Sequence, residues 1–212
     1  MRLFHDRADA GRQLAERLGD YANRNDVVVL GLPRGGVPVA YEVASRLAAP
    51  LDVFLVRKLG VPGHIELAMG AIAAGGVEVL NHDLIADLRI SLQTVAGVAA
   101  SERLELDRRD RVFRSGRPLP ELAGKTVIVI DDGLATGATM EAAVTALRRM
   151  NPAQIVAAVP VGARETCDRL AHLADRVVCL ATPASFDAVG LWYEDFSQTT
   201  DEEVKQLLLR LS

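Results

Sequence analysis

The stretch Val127-Ile-Val-Ile-Asp-Asp-Gly-Leu-Ala-Thr-Gly-Ala-Thr139 decides the fold of this chain. It opens with four consecutive β-branched apolar residues, the pattern of a strand buried on both faces in a parallel sheet. Such a strand delivers Asp131 and Asp132 to its C-terminal edge, where ligands bind in open α/β sheets. A short loop of Gly, Ala and Thr follows and opens a helix near Thr139. Small residues let backbone N–H groups approach an anion, and the helix N-terminus adds unpaired donors and a positive dipole end. Thr136 and Thr139 add hydroxyl donors. One segment thus offers a phosphate cradle beside two acceptors for sugar hydroxyls, and a phosphorylated sugar satisfies both halves.

Working outward, similar apolar runs occur at Val27–Gly31, Asp52–Val56, Ile155–Val159 and Arg176–Leu180. Helical stretches lie between them at Val37–Leu47, Thr139–Met150 and Arg164–Leu173, and Ala8–Tyr21 precedes the first. This alternation predicts an α/β fold with a doubly wound, mainly parallel sheet. The 212 residues suit a single domain over residues 1–212. Leu59–Pro120 breaks the alternation and reads as an insertion. Within it Gly60–Gly76 is loop-like, Val77–Leu80 is a short apolar run, and Asp83–Arg114 predicts one or two polar helices. A small hood and tail occupy about 181–212.

Composition narrows the function. Half the residues are hydrophobic, a quarter are charged, and the net charge is −4. That excludes a disordered chain and argues against binding DNA by bulk charge. Cys167 and Cys179 supply neither a disulfide framework nor a four-ligand zinc site, and His5, His64, His82 and His172 are scattered. No protein-built metal site is expected. The first residues are charged, and Leu67–Val77 is too short and glycine-rich to span a bilayer. The reading is a cytoplasmic protein with reduced thiols and no membrane partner. The Arg-rich stretch Ser101–Arg117 is interleaved with Glu102, Glu105, Asp107 and Asp110, which predicts a solvated helix face with i,i+4 pairs.

Further signals surround the central one. Gly31-Leu-Pro-Arg-Gly-Gly-Val-Pro-Val-Ala40 follows the first strand and opens a helix. Its paired glycines, Gly35 and Gly36, either make a tight turn or wrap an anion with amides, with Arg34 adding charge. Arg57 and Lys58 follow the second strand, as a solvated strand end or as cations for an anionic ligand. Leu59–Gly76 has the composition of a mobile lid, in which Glu66 is the nominee for general acid or base and His64 the lesser candidate. The tail Phe186–Phe196 gathers Phe186, Trp192, Tyr193 and Phe196 in a chain that is 4% aromatic. These rings either pin the tail to the core or stack a flat heterocycle, with Glu194 or Asp195 accepting its N–H groups.

Asp131–Thr139 resembles the phosphoribosyl pyrophosphate (PRPP) signature of type I phosphoribosyltransferases. The resemblance implies that Asp131 and Asp132 bind the ribose hydroxyls and support catalysis, and that Ala135, Thr136, Gly137, Ala138 and Thr139 bind the 5-phosphate. It makes Arg34, Gly35 and Gly36 a pyrophosphate loop with a cis peptide near Pro33-Arg34-Gly35, and gives Arg57 and Lys58 to the pyrophosphate. Some 6-oxopurine members carry an aspartate base where this chain has Ala135, so the acid or base must come from elsewhere. The tail is similar to the hood of purine enzymes, which implies a base pocket of Phe186, Trp192, Tyr193 and Asp195. The implied reaction moves phosphoribosyl from PRPP to a nucleobase, a purine by this resemblance, with release of pyrophosphate. Mg²⁺ would arrive with PRPP, and a homodimer is implied. The competing class is a non-catalytic PRPP sensor. The dinucleotide fingerprint G-x-G-x-x-G is missing after the first strand, and no P-loop motif occurs.

Overall fold

The computed structural model describes residues 2–211, with the side chains of Ile65 and Glu66 outside the description. In chain order the elements are α1 (Arg7–Arg17), β1 (Val27–Gly31), α2 (Gly36–Leu47), β2 (Leu51–Val53), β3 (Val56–Val61), β4 (His64–Ala73) and β5 (Val77–Leu80). There follow α3 (His82–Asp87), α4 (Leu92–Arg114), β6 (Thr126–Ile130), α5 (Ala138–Arg148), β7 (Gln154–Val161), α6 (Arg164–Leu170), β8 (Arg176–Ala181) and α7 (Asp201–Arg210).

The continuous apolar runs become a parallel sheet in the order β2-β1-β6-β7-β8. Alternation along each strand sends residues to opposite faces. Val27, Val29, Ile128 and Ile130 join one core with Leu14 of α1, Val39 of α2 and Leu208 of α7. Val28, Leu30, Val127 and Val129 join the other with Met140 of α5 and Leu170 of α6. The sheet is therefore covered on both sides, which is why its strands carry no polar face. β1 and β6 run side by side in register from Val27↔Thr126 to Gly31↔Ile130. The loops that follow them consequently open at the same edge, and the Leu32 N–H donates to the Ile130 carbonyl at 2.8 Å.

The insertion departs from the sequence reading. Residues 60–76 are not a loop: β3, β4 and β5 form a separate antiparallel sheet in that order. The expected second strand also ends early, since β2 stops at Val53 and β3 begins at Val56. Arg57 and Lys58 therefore lie inside β3 rather than at the end of a parallel strand. The glycines that mimicked a loop have structural uses. A Cβ at Gly70 would strike the Val79 carbonyl, so its absence lets β5 close on β4. Gly63 has φ +80 after Pro62 and turns β3 into β4.

The polar segment after β5 resolves into two helices, with Ser91 capping α4 through the Thr94 N–H at 3.1 Å. Val95, Ala99, Leu106 and Phe113 bury one side of α4. At its end, Arg114 has a side chain only 3% exposed, 3.3 Å from Asp52 and 3.4 Å from Asp110. Burial raises the Asp52 pKa against the pull of Arg114. The tail helix α7 starts with a Thr200–Glu203 capping box and buries Val204 and Leu208 on its inner face. Among the described residues no helix is long and apolar enough to cross a membrane.

Candidate functional site

The site is assembled where β6 ends. Asp131 and Asp132 leave the strand together, and the Asp131 carboxylate accepts the Asp132 N–H at 2.9 Å. Asp132 is held from two further directions. Its carboxylate accepts from Arg7 Nε at 2.8 Å, with both side chains largely buried. Its carbonyl accepts from the Tyr193 hydroxyl at 2.6 Å. Arg7 itself donates to the Ser197 carbonyl at 2.6 Å and lies 3.9 Å over the Phe196 ring. Burial, and then the neighbouring Asp132 charge, push Asp131 well above the ordinary carboxylate range. Burial also raises Asp132, while Arg7 pulls it down. Ionising both carboxylates is therefore unfavourable without a partner, so the pair favours a hydroxyl donor or a cation.

The following loop is shaped from outside. Thr166 Oγ1 donates to the Ala135 carbonyl at 2.8 Å, and Arg169 Nη2 donates to the Thr136 carbonyl at 2.6 Å. Arg169 is braced in turn by Glu141 at 2.7 Å. Gly137 caps α5 with φ +76, and a Cβ there would overlap the Thr166 methyl. With these carbonyls taken by α6, the amides that open α5 remain as donors without partners inside the helix. Ala135, Thr136 and Thr139 are exposed. A turn of small, exposed residues before a helix N-terminus has the shape and polarity to take a phosphate-sized anion.

The β1–α2 loop closes against the acidic pair. The Pro33–Arg34 peptide is cis, as the resemblance implied. A Cβ at Gly35 would overlap the Asp132 carboxylate, and one at Gly36 would lie 2.5 Å from the Ile130 carbonyl. The two loops touch through backbone with no room for a side chain, so both glycines are required by close approach. Arg34 points toward Asp201 of α7, 3.5 Å away.

Other sequence candidates are placed differently. Adjacent strand residues face opposite ways. Arg57 turns to α4 and pairs with Glu102 at 2.6 Å. Lys58 turns to the other side and lines a cavity of about 390 Å³ with Ala138 and Glu141 of α5. These two residues do not form one cationic pair at the sheet edge. Glu66 lies in β4 with its side chain outside the described residues, and His64 is exposed where β4 begins.

In the tail, Phe186 and Trp192 stack at 6.2 Å and are half-buried. Tyr193 is buried, with its ring against Phe4 at 5.3 Å and Phe196 at 4.9 Å. It braces the acidic pair and offers no open face to a heterocycle, so it cannot take the stacking role expected of it. Asp195 is exposed and accepts the Ser197 N–H at 2.9 Å, which holds its carboxyl below the usual range. Val189 packs against Gly133, where a Cβ would come within 2.5 Å, so the tail rests directly on the loop.

Arg7 is the residue that sequence reasoning missed. It precedes Asp132 by 125 positions, and nothing in its neighbourhood marks it out. Among the described residues no group of three or more His, Cys, Asp or Glu is arranged to hold a metal ion.

A family model described as "Phosphoribosyl transferase domain" matches residues 4–193. Two Mycobacterium tuberculosis proteins, provisionally named phosphoribosyl transferases, are 51% identical over 210 residues. The match covers 99% of this chain and 47% of each relative, so the chain spans about half their length. The crystal structure of TT1426 from Thermus thermophilus is similar over 100% of both chains, with 45% identity and a TM-score of 0.90. The AQ2163 protein from Aquifex aeolicus shares the fold at a TM-score of 0.51 and 16% identity, over 82% of this chain and 73% of that one.

Proposed function

This chain belongs to the phosphoribosyl transferase family, and from that premise we propose that it transfers a 5-phosphoribosyl group from PRPP to a nitrogen of a nucleobase, releasing pyrophosphate. The observation that carries the reading is the meeting of three features at one sheet edge. These are a buried acidic pair, a turn of small residues before a helix N-terminus, and a glycine loop whose backbone closes on the pair. PRPP has one group for each: ribose hydroxyls, a 5-phosphate and a diphosphate.

The transition state of such a transfer carries positive charge on the ribose ring. Asp131 and Asp132 stand where that charge develops, in a partly desolvated setting where a carboxylate stabilises it strongly. Arg7 and Tyr193 fix Asp132 in place, so little reorganisation is required during reaction. The amides before α5 hold the 5-phosphate and orient the sugar. The β1–α2 loop receives the leaving diphosphate.

Magnesium fits this donor set as an ion carried mainly by the ligand. A hard cation accepts carboxylate, phosphate and water oxygens, and Asp131 and Asp132 would supply the protein share. When bound it neutralises diphosphate charge. Ala135 carries no exchangeable proton, so Glu66 on β4 is the candidate acid or base. The Phe186–Trp192 stack of the tail is the candidate acceptor platform, which favours a flat heterocycle such as a purine.

Calorimetric titration of PRPP with Mg²⁺ into wild type and the Asp131→Asn/Asp132→Asn variant tests the donor site. Pyrophosphate release with a panel of bases then tests transfer. Binding lost in the variant, with release dependent on one base, is expected. Binding without release by any base would leave a PRPP sensor, and no binding by wild type would remove the reading.

A further inference from the structure

The arginines of α4 read as a solvated face in the sequence, yet two of them meet a third cation from another element. A cavity of about 280 Å³ is lined by Arg34 of the β1–α2 loop, Arg108 and Arg109 of α4, and Asp201 of α7, with Pro33 and Phe113 among its walls. The carboxylates paired with these cations are too few. Glu105 takes both Arg108, at 2.7 Å, and Arg109, at 2.9 Å, and Asp201 takes Arg34 loosely at 3.5 Å. Three guanidinium groups share two carboxylates. Their side chains are 38%, 59% and 37% exposed, open enough for a ligand to reach.

Arg109 has a second position of interest. It also lines a narrow cleft with Pro33, Arg57 and Thr139. It therefore stands between the glycine loop after β1 and the cradle before α5. A guanidinium presents paired donors that match phosphate oxygens two at a time, and an excess of such groups favours a multiply charged anion.

We infer that Arg109, together with Arg34 and Arg108, forms a diphosphate-binding subsite that the insertion helix contributes to the sheet edge. The identity of its ligand, the diphosphate end of PRPP, rests on the transferase reading above. Binding would exchange the loose Arg34–Asp201 contact for phosphate oxygens. The insertion then supplies part of the site.

The test is calorimetry with inorganic pyrophosphate and, separately, ribose 5-phosphate, in magnesium-containing buffer, on the full chain. The proteins are wild type, Arg109→Ala, Arg109→Lys and Arg103→Ala. Arg103 lies on the same helix but pairs with Glu78 at 2.8 Å, so its removal controls for net charge. Arg109→Ala should weaken pyrophosphate about tenfold or more. Arg109→Lys should recover part of that loss, and ribose 5-phosphate should bind all four proteins alike. Wild-type pyrophosphate affinity in Arg109→Ala overturns the subsite. So does an equal loss in Arg103→Ala, or a parallel loss of ribose 5-phosphate in Arg109→Ala. If wild type binds pyrophosphate through Arg109 but never binds ribose 5-phosphate, the subsite stands and the transferase reading falls. If it binds only ribose 5-phosphate, the reverse holds.

Discussion

The loop between β6 and α5 and the small sheet of β3, β4 and β5 are held by different means. The loop is shaped by ties to its backbone from distant elements: Thr166, Arg169 and Tyr193 each hold a carbonyl, and Gly35 presses against Asp132. The small sheet shares an apolar cluster with α4, through Leu59, Met69 and Ile72 on one side and Val95, Ala99 and Leu106 on the other, and adds charged pairs at that border, where Arg57 meets Glu102 and Arg103 meets Glu78. Backbone ties to neutral groups keep their geometry when charge or salt changes. Surface ion pairs are screened and worth little each. The frame of the acidic pair is therefore expected to be rigid and intolerant of substitution, and the border of the insertion to be adjustable.

The largest test of that contrast is at the acidic pair. Asp131→Asn/Asp132→Asn should weaken PRPP by about 100-fold or more, from lost charge-assisted hydrogen bonds, as read by titration calorimetry. Asp131→Asn alone should raise Tm by a few degrees, because burying a carboxylate beside a second one destabilises the fold. The pH dependence has the same origin. The folded pKa of Asp131 is raised by burial and by Asp132. Its contribution to stability is therefore fully present below the ordinary carboxylate pKa of about 4 and is lost as pH rises through the folded value. Tm measured against pH should fall over that window in wild type, and less steeply in Asp131→Asn.

Gly35→Ala comes next. The added Cβ must displace Asp132 or the loop, at about 1–3 kcal/mol in denaturant unfolding, with a matching loss of ligand affinity. A variant of wild-type stability would mean that the two loops are not in contact. Tyr193→Phe removes one donor and leaves the Asp132 carbonyl unpaired. A loss of about 1 kcal/mol is expected, with PRPP weakened several-fold while the tail stays folded by near-ultraviolet circular dichroism. The smallest effect belongs to the insertion. Glu102→Gln should cost about 1 kcal/mol or less. Amide exchange should quicken in β3 and α4 and stay unchanged in β6; faster exchange in β6 would show the two regions to be one cooperative unit.

The same contrast explains what the sequence revealed. The strands of the parallel sheet are buried on both faces, so each reads as an unbroken apolar run, and the edge that carries Asp131 and Asp132 follows directly. The small sheet hides its strands because β3 alternates buried Leu59 and Val61 with exposed Lys58 and Gly60, and because Gly70 is demanded by close packing. Its turn signals were nevertheless written in the chain, as Pro62-Gly63 between β3 and β4 and Gly75-Gly76 between β4 and β5. Arg7 left no such trace. Its role depends on where α1 lies against the sheet, and local pattern does not encode that. Tyr193 was found as an aromatic of the tail but not as a brace, because burial reverses what an exposed ring would do.

The hydrogen bond from Tyr193 to the Asp132 carbonyl joins the tail to the acidic pair without passing through any ligand. Two ligands that settle on its two ends share one piece of protein. Linkage then requires reciprocity: the factor by which an acceptor on the tail strengthens donor binding equals the factor by which the donor strengthens the acceptor. A sequential order of arrival, with one partner priming the protein for the other, would need no moving lid. It would follow from a phenol that cannot release one side without loosening the other.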